Sequence, residues 1–240
     1  MNLLQLRTKF REISGRFDLV DEDFSDSGAD FYINEGRKYL DRLDETQKSW
    51  GSTFVKVAVG GWHATFPYCR AIKEVWISSS TARWRAEKMD VQKMMERYLT
   101  GIPSSRSSGT PIYYAPCITR LVPEDIAADD IEAFAGFVDV SAGLAHGFNT
   151  ILLDVPTDKI LAITINGLFY SGELVNDTDM NYWSEVHPML LISSAMRQIE
   201  IVNRNTQGVN DWTGAINAEV QQLGFDLVEE LIGECNQMEG

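Results

Sequence analysis

The stretch ILLDVPTDKILAITINGLFY, residues 151–170, decides how the middle of the chain is read. Apolar and β-branched residues dominate it at 150–155 and again at 159–166, the composition of strands packed on a pleated surface. Asn166-Gly167 favours a tight reversal, because both residue types accept positive φ. Leu168 to Tyr170 is therefore expected to return as a partner strand. A short hairpin of this kind predicts a small, mostly antiparallel sheet.

The flanking sequence extends that sheet. CRAIKEVWIS, residues 69–78, alternates, with Ala71, Val75 and Ile77 on one face and Ile72 and Trp76 on the other. From Thr53, TFVKVAVGGWHATF reads as a strand, a Gly-Gly turn and more extended chain. Residues 84–99 read as a helix that buries Trp84, Met89, Val91, Met94, Met95 and Tyr98. GIPSSRSSGT is a Ser-, Gly- and Pro-rich loop, and TPIYYAPCITRLVP is extended or a strand pair. Beyond it, Glu124 to Ala135 predicts a short helix, and GFVDVSAGLAHGFN a strand and a loop.

Both ends are helical. Leu3, Leu6, Phe10 and Ile13 recur at spacings of three and four, and Ser14-Gly15 ends that helix. The acidic loop DLVDEDFSDSGAD follows, where Asp26 or Ser27 can cap the next helix by accepting free backbone N–H groups. That helix is expected from about Gly28 to Gln47, with Phe31, Tyr32, Ile33, Tyr39, Leu40 and Leu43 on its apolar side. Pro188 suits a first helical turn, and Met189, Leu190, Ile192, Met196, Ile199 and Val202 carry a stripe. A break at 203–210 around Gly208 precedes a last helix, about Asp211 to Gly233. The fold class expected is α+β, with N- and C-terminal amphipathic helices forming a helical bundle and a small, mostly antiparallel sheet inserted between. Its parts are an N-terminal helical region 1–50, a β-rich middle 51–175 with an embedded helix, and C-terminal helices with an acidic tail, 176–240.

The 240 residues carry a net charge of −14 and are 44% hydrophobic, enough for a core without disulfides or metals. Affinity for nucleic acid comes mostly from Lys and Arg displacing counterions, so this charge argues against a DNA-binding protein. It suits a channel wall along which DNA slides, or simple solubility. Cys69, Cys117 and Cys235 are too far apart for metal or redox spacing and read as reduced thiols of a cytoplasmic protein. The N-terminus lacks a signal-type apolar run, and no stretch reaches the ~20 apolar residues of a membrane span. His63, His146 and His187 form no ligand or catalytic pair. No nucleophile elbow or phosphate-cradling glycine loop occurs, and the acidic run lacks calcium-loop ligand order. No cofactor, metal or catalytic set is therefore expected. A thiol hydrolase using Cys69 or Cys117 with a histidine stays open as an alternative.

Five patches, in order along the chain, together resemble phage head-to-tail adaptor (connector) proteins. They are LLQLRTKFREISGRFDLV, GADFYINEGRKYLDRL with its Ile-Asn-x-Gly-x-x-x-Leu-Asp element, PYCRAIKEVWI, GTPIYYAPCITRLVPE, and NDTDMNYWSEVHPMLLISSAMRQIE. Residues 128–149 lie outside the resemblance. It implies a non-enzymatic virion protein of the neck, assembled in the host cytoplasm. It also implies a dodecameric ring docked beneath the portal that receives a tail or nozzle protein, with a helical bundle around a channel through which DNA passes. A tail terminator or hub protein is the nearest alternative.

Two residue sets carry the expected contacts. After Arg204 there is no Lys or Arg, so the acidic C-terminal stretch, with Glu229, Glu230, Leu231, Glu234 and Met238, is the candidate interface to the portal or a neighbouring subunit. Asp21, Glu22 and Asp23 are the candidate channel-lining acids.

Overall fold

Residues 161–169 do not turn at Asn166-Gly167. They form one continuous strand, and that strand is the centre of the largest sheet. The computed structural model describes residues 1–43, 49–98, 107–120 and 146–235, with side chains described there except at 118–120, 146–148 and 225–235. The chain divides into two compact units, Met1–Ser49 with Tyr170–Gly240, and Trp50–Phe169.

The Trp50–Phe169 unit contains β1 (Trp50–Val57), β2 (His63–Thr65), β3 (Cys69–Ser78), β4 (Arg83–Lys88), α1 (Val91–Tyr98), β5 (Tyr113–Arg120), β6 (His146–Leu153) and β7 (Leu161–Phe169). The strand order is β1-β7-β3-β4-β5-β6-β2. Strand β7 pairs antiparallel with β1 on one side and β3 on the other. Its Leu161, Ile163 and Ile165 are fully buried, each worth about 1.5–3 kcal/mol of apolar transfer. A Cβ on Gly167 would overlap the Ala71 carbonyl oxygen. Glycine is there to let β3 approach, which is why its turn signal misleads.

Strands β4 and β5 pair parallel, Glu87 with Tyr113 and Lys88 with Tyr114. The end strands β1 and β2 lie beside each other, so the sheet nearly closes. Alternation along β6 puts Ile151 and Leu153 in the main core, and Leu152 on the other face with Met94 and Ala115.

The expected fold class is overturned. The described residues build a seven-stranded, mixed, nearly closed sheet accompanied by six helices, a strand-rich molecule and not a helical bundle carrying a small antiparallel sheet. Two local signals misdirected the expectation. Asn166-Gly167 split a central strand, and Arg83–Lys88 was absorbed into a helix although it pairs with β3.

In the other unit, α2 (Leu3–Ser14) starts from a reciprocal cap between Asn2 and Gln5 and ends at Gly15, φ 64°. Helix α3 (Ala29–Leu43) is capped by Asp26, whose Oδ1 accepts from Gly28 N at 3.0 Å and Asp30 N at 2.9 Å. Its buried side is Ala29, Ile33, Gly36, Arg37, Leu40 and Asp41. Phe31, expected on the apolar side, is 62% exposed. It falls off the i, i+4 stripe set by Ala29, Ile33, Arg37 and Asp41.

Three further helices complete this unit: α4 (Tyr182–Val186), α5 (Pro188–Val202) and α6 (Thr206–Cys235). Gly208 lies inside α6, so the expected break shrinks to 203–205. A Cβ on Gly36 would stand 2.7 Å from Ala195 N, so glycine lets α3 and α5 approach closely.

Polar side chains of α3 tie down the segment before α4. Asn34 donates to Leu174 O at 2.9 Å and accepts from Leu174 N at 3.1 Å. Asp41 Oδ1 accepts from Trp183 Nε1 at 2.7 Å, and its Oδ2 accepts from Ser171 N at 3.0 Å and Oγ at 2.9 Å. Arg37 donates to the Ser171 carbonyl. Burial pushes the Asp41 carboxyl above its ordinary range, against the pull of these donors.

Candidate functional site

The acidic loop is an ordered turn. Gly15 stops α2, and Val20 and Asp26 form an isolated bridge across the loop. Ser25 Oγ lies 3.1 Å from Asp21 Oδ2 and 2.7 Å from Asp23 Oδ1, and Ser25 N donates to Asp23 at 3.1 Å. The bonds from Ser25 hold the Asp23 carboxyl below its usual range. Asp21, Glu22 and Asp23 are all exposed, so the structure brings this trio together on one solvent-facing turn.

A buried arginine anchors the loop. Arg7 pairs with Asp30 through Nε at 2.7 Å and Nη2 at 2.9 Å, reaches Asp177 at 2.9 Å, and donates to the Phe24 carbonyl at 3.0 Å. On the outer side Arg11 donates to the Asp21 carbonyl at 3.0 Å. Its guanidinium lies 4.9 Å from the Phe17 ring centre and 5.6 Å from that of Phe24. Phe17 is 67% exposed and Phe24 37%. The acids therefore border a solvent-facing aromatic pair. A wall for sliding DNA has no use for exposed phenylalanines, whereas a protein interface does.

The second feature is a cleft in the sheet. Strands β3 and β4 pair only from Val75–Ser78 to Arg83–Ala86, after which β4 passes to β5. A cavity of about 420 Å³ opens there, with Ile72, Ala86 and Tyr114 in its lining. Lys73, Arg85 and Lys88 stand around it, with Glu74 and Glu87. Glu74 is engaged by Arg85 at 3.3 Å and by Trp76 Nε1 at 3.1 Å. A neighbouring cavity of about 270 Å³ is lined by Cys69, Arg70, Lys88, Cys117 and Thr150 among others.

Cys69 and Cys117 thus share one cavity, but neither is an activated thiol. Burial raises the Cys69 thiol and pushes that of Cys117 up to about 11, the reverse of what a nucleophilic cysteine needs. His63 lies on β2. His187 packs against the Tyr182 and Trp183 rings at 5.7 and 6.3 Å. His146 begins β6, where side chains are not described. Among the described residues no group of three His, Cys, Asp or Glu could hold a metal ion, and no helix is long and apolar enough to cross a membrane.

No protein-family model and no curated protein matches this chain. Function must therefore be argued from its own residues.

The C-terminal candidates lie elsewhere. Glu229, Glu230, Leu231 and Glu234 are on the last turns of α6, where Glu230 and Glu234 share a helix side by their spacing of four. Met238 lies outside the described residues. Sequence reasoning missed Phe17, Phe24 and the cationic cleft. A signal for the cleft was available, since residues 70–97 hold seven Lys and Arg against four Asp and Glu in a chain of net −14.

Proposed function

We propose that this chain is a non-enzymatic structural subunit of a tailed-phage virion, one copy in the head-to-tail connector ring that joins the portal to the tail. The observation that carries the reading is the behaviour of the residues behind the resemblance. Asn34, Gly36 and Asp41 belong to the Ile-Asn-x-Gly-x-x-x-Leu-Asp element, and Trp183 to the C-terminal patch. These patches come from opposite ends of the chain. They meet through the Asp41–Trp183 hydrogen bond and the close approach of Gly36 to Ala195. A shared framework would retain residues with such tasks, because each has a contact that substitution would break.

In this reading the chain self-assembles, with the portal above and a tail or nozzle protein below. DNA passes through without sequence-specific contact. The acidic end of α6, with Glu229, Glu230, Leu231 and Glu234, and the segment carrying Met238 reach the portal or a neighbouring subunit. Deleting Leu231–Gly240 is expected to abolish portal binding, and deleting Asn236–Gly240 to weaken it. Undiminished binding by both truncations removes that role. The reading as a whole is tested by deleting the gene from its phage. Filled heads and finished tails that fail to join are expected. Infectious tailed particles lacking the protein would overturn it.

A further inference from the structure

We infer that the aromatic loop of one copy, residues 15–28, seats in the β3–β4 cleft of a second copy, with Phe17 as the apolar anchor. The inference rests on the ring reading, because a head-to-tail ring needs two different, complementary surfaces on each subunit. This chain carries such a pair, one in each unit.

The loop supplies the projecting half. Phe17 is 67% exposed and backed by the Arg11 guanidinium, with Phe24 on the same cation. Large exposed aromatics fixed in place are the residues that dominate interface energetics, since little side-chain freedom is lost on binding. The loop also carries Asp18, Asp21, Glu22, Asp23 and Asp26 against Arg16, which is paired with Asp18 at 2.8 Å.

The cleft supplies the receiving half. Its cavity of about 420 Å³ has apolar lining from Ile72, Ala86 and Tyr114, suited to an aromatic ring. Lys73, Arg85 and Lys88 stand at that opening and Arg70 at the adjoining one, against Glu74 and Glu87. Glu74 is already paired with Arg85. The cleft is thus net positive in a chain of net −14, and the loop is net negative. Complementary charge fixes register and excludes the loop-to-loop and cleft-to-cleft pairings that would close a two-fold dimer.

Self-association of the full-length protein, followed by sedimentation velocity and native mass spectrometry, tests the pairing. Three variants are informative: F17S, D18K/E22K on the loop, and K73E/K88E on the cleft. All five positions are exposed, and none caps a helix or bonds Ser25, so circular dichroism and melting should match the wild type. Each variant is expected to raise the concentration needed for assembly by at least about tenfold. Combining D18K/E22K with K73E/K88E in one chain should restore assembly, while F17S stays impaired in that background. Folded variants that assemble at the wild-type concentration would overturn the inference and leave the ring reading standing. A wild-type chain that does not assemble, alone or with portal, would overturn both.

Discussion

Gly36 and Gly167 do the same work in two unlike regions. Each lets another backbone come close, Gly36 in the helical unit against Ala195 of α5 and Gly167 in the sheet unit against the Ala71 carbonyl of β3. The first sits in a helix whose pattern is evident within a few residues of it. The second sits in a strand whose role depends on β1 and β3, around a hundred residues away in sequence. Helical order here is local, and sheet order is a property of partners.

The sharpest way to break this comparison is to fill both positions. Gly167→Val suits a strand by propensity and would be harmless at a simple chain reversal that tolerates it. Packed beneath Ala71, it is expected to cost about 3 kcal/mol in denaturant unfolding. A change below about 0.5 kcal/mol, within the range of an ordinary surface substitution, would mean that β3 and β7 are not in close register. Gly36→Ala should cost less, about 2 kcal/mol, because the Ser194 hydroxyl can rotate aside even though the Ala195 backbone cannot.

Trp183→Phe probes the helical unit without a steric clash. It removes the Nε1 donor from Asp41, and a buried acceptor losing a partner costs about 1–3 kcal/mol. The pH dependence has a definite sign. Burial raises the Asp41 pKa in the folded state, so its contribution is most favourable below the unfolded carboxylate pKa and is lost as pH rises through the folded one. Losing a donor to the ionised form raises that pKa further. The deficit of Trp183→Phe should therefore be largest near neutral pH and shrink as the carboxyl becomes protonated. A deficit that does not change with pH would mean that Asp41 is not the partner that matters.

The smallest effect belongs to the sheet. With the Cys117 thiol at about 11, alkylation at neutral pH should be slow and rise steadily into the alkaline range. Mapping by peptide mass spectrometry separates it from Cys69 and Cys235. Rapid labelling of Cys117 at pH 7 would contradict its buried setting and revive the thiol-hydrolase alternative.

These differences explain what was legible. Helix α2 was readable to its ends because Leu3, Leu6 and Phe10 follow one helical row and Gly15 closes it. Pro188 marked the start of α5 and Asp26 the cap of α3 for the same local reasons. Cys69–Ser78 was readable because its alternation survives two bulges. Arg83–Lys88 was not, since RWRAEK has little alternation of its own and becomes a strand by pairing with β3 and then β5. The acids of the loop were visible in the sequence. The exposure of Phe17 and Phe24 was not, because nothing local distinguishes a phenylalanine stacked on Arg11 from one buried in a core. The cleft was invisible for the same reason as β4: it exists where two strands part.

The connector reading is most directly tested by native mass spectrometry of the purified protein mixed with the portal ring encoded by the same genome. The account predicts a discrete complex with a fixed number of copies per portal. A protein that stays unassociated at every concentration, with intact portal rings present, would contradict it.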